Sequence, residues 1–233
     1  YNRGWMGFPV SFLEKEVMDQ AQIVQNVAKY VEEKTIGEGS GHDWWHIVRV
    51  RNMAERIAEA EGGNLFICQI AALVHDLADD KLVDDEKQAL EDIRQLLSHQ
   101  GCSESDIEAI MDIIQNMSFK GGQAHQRPLS LEGKIVQDAD RLDAIGAIGI
   151  ARTMAYSGNK NRVIHIPNLK VREDMTVEEY RSTNGSAITH FYEKLLKLKD
   201  LMNTETGKNL AQGRHDFLEL YLQQFYQEWD GKR

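Results

Sequence analysis

The run Ala71-Ala72-Leu73-Val74-His75-Asp76-Leu77-Ala78-Asp79-Asp80-Lys81 decides how the chain is read. An apolar segment ends abruptly in His-Asp, and two further carboxylates follow. Burying a histidine beside an aspartate at the end of an apolar helix is costly unless both groups find partners. A divalent cation suits both, because imidazole nitrogen and carboxylate oxygen are common ligands of first-row metals. Adjacent helical residues point about 100° apart, so the two reach one ion only if it sits against the helix edge. Ordinary hydrogen bonds would also satisfy the pair, and the dipeptide alone favours that plainer reading. The rest of the chain reverses the balance.

Upstream, Asn64 caps a helix that is apolar almost all round, through Leu65, Phe66, Ile67, Ile70, Leu73 and Val74. Such a helix is central and buried. Before it, Gly37-Glu38-Gly39-Ser40-Gly41 opens onto His42-Asp43-Trp44-Trp45-His46, where Asp43 suits an N-cap. The helix that follows, to about Glu61, aligns His46 with Val50, Ala54 and Ile57, so His46 points inward. His42 falls one turn earlier if that turn is helical. Its readings stay open: a ligand sharing a metal with His46, a second-sphere partner, a substrate contact, or a histidine packed on the two tryptophans. Gly62-Gly63 ends this helix. A first helix over about 11–34 carries the stripe Leu13, Val17, Val24, Val27 and Val31.

Downstream, Asp84-Asp85 starts a more exposed fourth helix, with Leu90, Ile93, Leu96 and Leu97 inward and His99 at the surface in its last turn. A fifth helix follows Ser103 and runs into Ser118-Phe119-Lys120-Gly121-Gly122, a glycine-bearing loop suited to a ligand. The spacing then predicts one long sixth helix from Leu131 to about Tyr156, with Asp140 on an apolar face where a carboxylate calls for a cation. Gly146 and Gly149 would let this helix approach a neighbour closely. Residues 157–175 read as a loop or lid, and Thr176-Val177-Glu178-Glu179 as the capping box of a short helix. A further helix is expected from Ser186 to about Met202. A last one follows Thr204, with Leu210, Phe217, Tyr221, Phe225 and Trp229 inward.

Period-3.6 patterns dominate and strand-like alternation is nearly absent, so the fold class is all-α. The 233 residues, 42% hydrophobic and 27% charged, suffice for a large core. No linker divides them, so 12–233 is read as one domain behind an irregular 1–11 segment. Net charge −10 argues against nucleic-acid backbones and anionic membranes as partners. No apolar stretch is long enough for a membrane span. Cys68 and Cys102 form no framework, which suggests a reducing, cytoplasmic setting. A monomer or homodimer is expected.

His46, then His75-Asp76, then Asp140 stand on three core helices. In that order and spacing they resemble the HD-domain superfamily of metal-dependent phosphohydrolases, a helical-bundle fold. His42-Asp43-x-x-His46-x-x-Arg49-Val50, Met117-Ser118-Phe119 and His190-Phe191-Tyr192-Glu193-Lys194-Leu195-Leu196-Lys197-Leu198 look like its bacterial YedJ/YpgQ-like branch. The likeness extends over nearly everything from about residue 12 onward.

The resemblance implies one divalent metal at His46, His75, Asp76 and Asp140, and hydrolysis of phosphoric ester or anhydride bonds. The mixed nitrogen and oxygen donors suit Mn²⁺, Mg²⁺, Co²⁺, Ni²⁺, Fe²⁺ or Zn²⁺, with Mn²⁺ or Mg²⁺ favoured for activity. The substrate class is a small phosphorylated molecule, best a (deoxy)nucleoside triphosphate cut to monophosphate and pyrophosphate. A monophosphatase, a phosphodiesterase or a non-catalytic nucleotide-binding bundle are the alternatives. Asp79 is the candidate general base, with His42 beside it. Lys120, Arg49, Arg141, Lys81 and Ser118 are candidate phosphate contacts, and Arg49 and Arg141 can equally be partners of the metal aspartates.

Overall fold

The computed structural model describes residues 12–37, 43–78, 85–117, 128–172 and 185–233, with 12–19 by backbone only. The 1–11 segment, the 38–42 loop with His42, the stretch 79–84, the glycine-bearing loop 118–127 and the expected short helix at Thr176 lie outside the described residues. So do the side chains of Leu13 and Val17.

The described residues form nine α-helices and one 3-10 helix, with no strand among them. In order they are α1 (Phe12–Thr35), α2 (Trp44–Glu61), α3 (Leu65–Val74), α4 (Glu86–His99), α5 (Glu104–Asn116), α6 (Leu131–Asp143), α7 (Gly146–Asn159), α8 (Ala187–Glu193), the 3-10 helix Leu195–Leu201, and α9 (Glu205–Trp229). Short polar side chains set the starts. Asp43, Asn64, Asp85, Ser103, Ser130, Ser186 and Thr204 each accept a backbone N–H from the first turn of the helix they precede. Gly62 ends α2 with φ 76°, a left-handed conformation that glycine adopts without penalty.

Helix α3 is the axis of the bundle. Phe66, Cys68 and Ile70 through Val74 are all buried, which its all-round apolar sequence requires. It packs most extensively on α2, with α1, α5 and α6 around the rest of its surface. Helix α2 also packs broadly on α6, so α2, α3 and α6 form a three-helix centre. Helix α9 closes the bundle over α7, α6 and the 3-10 helix. Cys68 and Cys102 are free thiols, and burial pushes the Cys68 thiol up to about 12, so it serves as core. No helix among the described residues is long and apolar enough to cross a membrane.

Three expectations are corrected. The single helix over 131–156 is two, because α6 stops at Asp143 and α7 restarts at Gly146 with φ 72°. Ile145 between them is extended, and a methyl group on Gly149 would collide with the Ala144 carbonyl. Gly149 therefore serves a turn within the chain, while Gly146 does allow close approach to a neighbouring helix, since a methyl group there would press on Arg214 of α9.

The helix over 186–202 also breaks, at Lys194, into α8 and the 3-10 helix. Along α9, Ala211, Leu218 and Leu222 are buried, while Phe217 and Trp229 are largely exposed. Tyr221, Phe225 and Tyr226 pack against the core, and Trp229 stacks on Phe225 and meets the His165 ring edge-on instead. Residues 163–166 are loop, as expected, and the carbonyls of Val163 and Ile164 accept the backbone N–H groups of Ala187 and Ile188.

Candidate metal centre

Three elements meet at one point. The Asp43 cap takes the backbone N–H of His46 at 2.8 Å, which fixes the first turn of α2 and the position of His46 on it. The buried end of α3 delivers His75 and Asp76, and α6 delivers Asp140. The Nε2 atom of His46 lies 3.4 Å from Asp76 Oδ2 and 3.5 Å from Asp140 Oδ1. His75 Nε2 lies 3.3 Å from Asp76 Oδ1 and 3.9 Å from Asp140 Oδ1. One donor atom each from His46, His75 and Asp140 falls within 4.8 Å of the others. Donors that share one ion at metal-ligand bond lengths stand about 3.0–3.5 Å apart, so this spacing fits a single divalent cation.

Both imidazoles present the same nitrogen to the cluster. His75 Nδ1 sits 2.8 Å from the Ala72 carbonyl. A carbonyl only accepts, so Nδ1 carries the proton and Nε2 of the neutral ring carries the lone pair. That Nε2 is buried without a hydrogen-bond partner among the described residues, a costly state that a metal ion would relieve. His46 Nδ1 sits 2.7 Å from Asp143 Oδ2. Burial alone would lower the His46 pKa, but hydrogen bonds to Asp143 and Asp76 outweigh it and carry it up to about 9.

Asp140 differs from its expected surroundings. His46, His75 and Asp76 are buried, but the Asp140 carboxylate is 42% exposed. It stands at the rim of the cluster and marks the side open to solvent. The fully buried carboxylate of α6 is Asp138, which accepts the backbone N–H of Asn203 and both the N–H and hydroxyl of Thr204.

Arg49, one of the candidate phosphate contacts, grips Asp143 with Nε at 2.7 Å and a terminal nitrogen at 3.0 Å. Arg152 reaches the same carboxylate at 3.0 Å. Burial would raise the Asp143 pKa, yet the bonds from His46 and Arg49 hold it well below the usual carboxylate range. Arg141 is half-buried and donates to the Leu201 carbonyl. Arg141 also lies close enough to Asp138 and Asp140 to feel their charge. Asp79, Lys81, Ser118, Lys120 and His42 lie outside the described residues.

Sequence reasoning missed Asp143, Arg152 and Asp138 as working residues. Asp143 stands 97 positions from His46, so no local spacing joins them. Arg152 was hidden by the helix break. On a continuous helix it would stand nine residues, or about 13–14 Å, up the axis from Asp143.

The HD-domain sequence profile matches residues 44–145, which include His46, His75, Asp76 and Asp140. The Bacillus subtilis protein YpgQ is 38% identical over 215 residues, 92% of this chain and 97% of YpgQ. A crystal structure from Lactobacillus plantarum superposes with a TM-score of 0.80 at 43% identity, covering 90% of this chain and 98% of that one. The crystal structure of YpgQ in complex with ADP gives 0.73 at 38%, with 91% and 97% covered. That of an HD-superfamily hydrolase from Bacillus thuringiensis gives 0.72 at 40%, with 91% and 98% covered. Likeness of this degree over nearly the whole length, joined to the helical bundle and its four-residue cluster, means that the chain belongs to the HD-domain family of metal-dependent phosphohydrolases, in its YpgQ-like branch.

Proposed function

We propose that the protein hydrolyses (deoxy)nucleoside triphosphates to monophosphate and pyrophosphate at the His46, His75, Asp76 and Asp140 cluster. The observation that carries the reading is the shared presentation of both imidazoles: Nδ1 is engaged away from the cluster in each, and Nε2 faces the two carboxylates. A nucleotide as ligand is supported by YpgQ, a relative whose structure holds ADP.

A divalent ion held by these four residues would supply Lewis acidity, polarising a phosphoryl oxygen and acidifying an attacking water. The residues of the chain do the rest. Ala72 fixes the His75 ring. The buried Asp76 carboxylate lies within 3.4 Å of both imidazoles and would contribute negative charge toward holding the cation. Asp140, on the open side, lies where an incoming phosphate passes. Water oxygen bonds to the α-phosphorus, the bond to the bridging oxygen between α and β phosphates breaks, and pyrophosphate leaves with the electron pair. In this reading Asp79 takes the proton of the water, and Lys120 and Lys81 meet the charge of the leaving group. Ser118 and His42 complete the phosphate contacts.

Product analysis tests the reading. A deoxynucleoside triphosphate incubated with the protein and Mn²⁺ should yield monophosphate and intact pyrophosphate on ion-exchange chromatography. Stepwise release of diphosphate and inorganic phosphate would overturn it.

A further inference from the structure

We infer that Asp143 is the positioning residue for His46, and that Arg152 is brought back across the α6–α7 turn to hold Asp143 in place. The inference rests on the metal-site reading above and adds to it the residue that aims one of its ligands.

The two nitrogens of the His46 ring face two carboxylates of one helix. Nε2 lies 3.5 Å from Asp140 Oδ1, and Nδ1 lies 2.7 Å from Asp143 Oδ2. Residues 140 and 143 are three apart and therefore neighbours on the surface of α6. The helix thus touches the imidazole on both sides: one carboxylate belongs to the cluster and the other occupies the opposite nitrogen. An ionised carboxylate accepts and does not donate, so the Nδ1 proton is fixed towards Asp143, and Nε2 is the nitrogen left to give up its proton to an ion in the cluster. A carboxylate on the far nitrogen of a ligating histidine also fixes ring orientation and raises its basicity.

Asp143 is itself held. It is 4% exposed, and a lone carboxylate so deeply buried would be driven to its neutral form. Arg49 binds both of its oxygens in a fork, from α2, the helix that carries His46. Arg152 adds a third element. It reaches the oxygen that accepts from His46, at 3.0 Å. It does so because the chain stops helical winding at Asp143, turns through Gly146 at φ 72°, and seats Gly149 against the Ala144 carbonyl, where a side chain has no room. The turn is therefore part of the centre: without it Arg152 would lie far up the helix axis, and Asp143 would have lost one of the three groups that hold it.

The test uses cobalt, whose visible absorption reports coordination directly. Wild type, His75→Ala, Asp143→Asn and Arg152→Gln are titrated with Co²⁺ at constant pH, with circular dichroism recorded on each. Wild type should bind one equivalent and His75→Ala should lose the coordination spectrum. Asp143→Asn should bind tenfold to a hundredfold more weakly, and Arg152→Gln should also weaken binding, both with wild-type helicity. Asp143→Asn and Arg152→Gln binding as tightly as wild type would overturn the inference while leaving the metal site standing. Wild type and His75→Ala binding alike would overturn the metal-site reading instead. If Asp143→Asn fails to fold, the zinc-loaded wild type decides by nitrogen-15 NMR. A His46 ring protonated at Nδ1 and ligated through Nε2 supports the inference, and the opposite tautomer overturns it.

Discussion

The His75 ring donates its Nδ1 proton to the Ala72 carbonyl at 2.8 Å, one turn back on its own segment, while its Nε2 stands 3.3 Å from Asp76 Oδ1. The end of an apolar helix thereby sets both the tautomer and the aim of a ligand. His75→Ala removes the donor and leaves the packing of Ala71 through Val74 in place. Metal content measured on purified protein should fall to background in the variant, with helicity kept. Equal content in both proteins would show that His75 holds no ion.

Asp138 and Asp140 should separate function from stability. Asp140 is at the open rim, so Asp140→Ala should abolish hydrolysis and leave the fold helical. Asp138→Ala strands the buried donors of Asn203 and Thr204, at a cost of about 3 kcal/mol. Urea denaturation of the two variants measures the contrast, and equal midpoints would contradict it.

Removing the metal should lower the melting temperature. Any ligand bound only by the native state stabilises it, by about 2.7 kcal/mol at a hundredfold excess over Kd. Melting curves with chelator and with increasing Mn²⁺ should therefore shift upward with metal concentration. A melting temperature independent of metal would leave the cluster without an ion.

Acid should weaken the fold through His190. Burial and the nearby charges of Lys194, Arg162 and Arg172 lower its pKa to about 4 against the attraction of Glu193. The unfolded chain takes up that proton near the ordinary value of 6.5. Between these limits the unfolded state binds more protons, so the contribution is intact above pH 6.5 and is lost as pH falls towards 4. The full loss is about 3 kcal/mol. Stability measured at pH 7 and pH 5 should fall less in His190→Gln than in wild type. Equal slopes would remove His190 from the acid transition.

The turn between α6 and α7 should not tolerate a side chain. Gly149→Ala places a methyl group against the Ala144 carbonyl and should cost about 1–3 kcal/mol in urea denaturation. A variant as stable as wild type would mean that the turn yields freely.

Helix periodicity made the bundle readable because each core helix shows its buried stripe in its own residues: His46 shares a face with Val50, Ala54 and Ile57, and all four are buried. Caps were readable for the same reason, since Asp43, Asn64, Ser103 and Ser130 act within four residues of themselves. What stayed hidden is long-range or competitive. The partner of His46 lies 97 residues away, and the donors to Asp138 lie 65 and 66 away. The break at Gly146 lost to a strong apolar pattern on both sides of it. Asp140 satisfied the same periodicity as the core, yet its carboxylate faces the opening.

The knot between Asp138 and Thr204 also orders events in time. Every residue of the cluster has been synthesised once Asp143 leaves the ribosome. At that moment Asp138 has none of the donors that make its burial tolerable. They arrive with residues 203 and 204, several seconds later at ordinary rates of translation. Burial of Asp138 on helix α6 is therefore fully stabilised only once a distant segment has emerged, so a part of the chain outside the cluster supports the helix that carries Asp140.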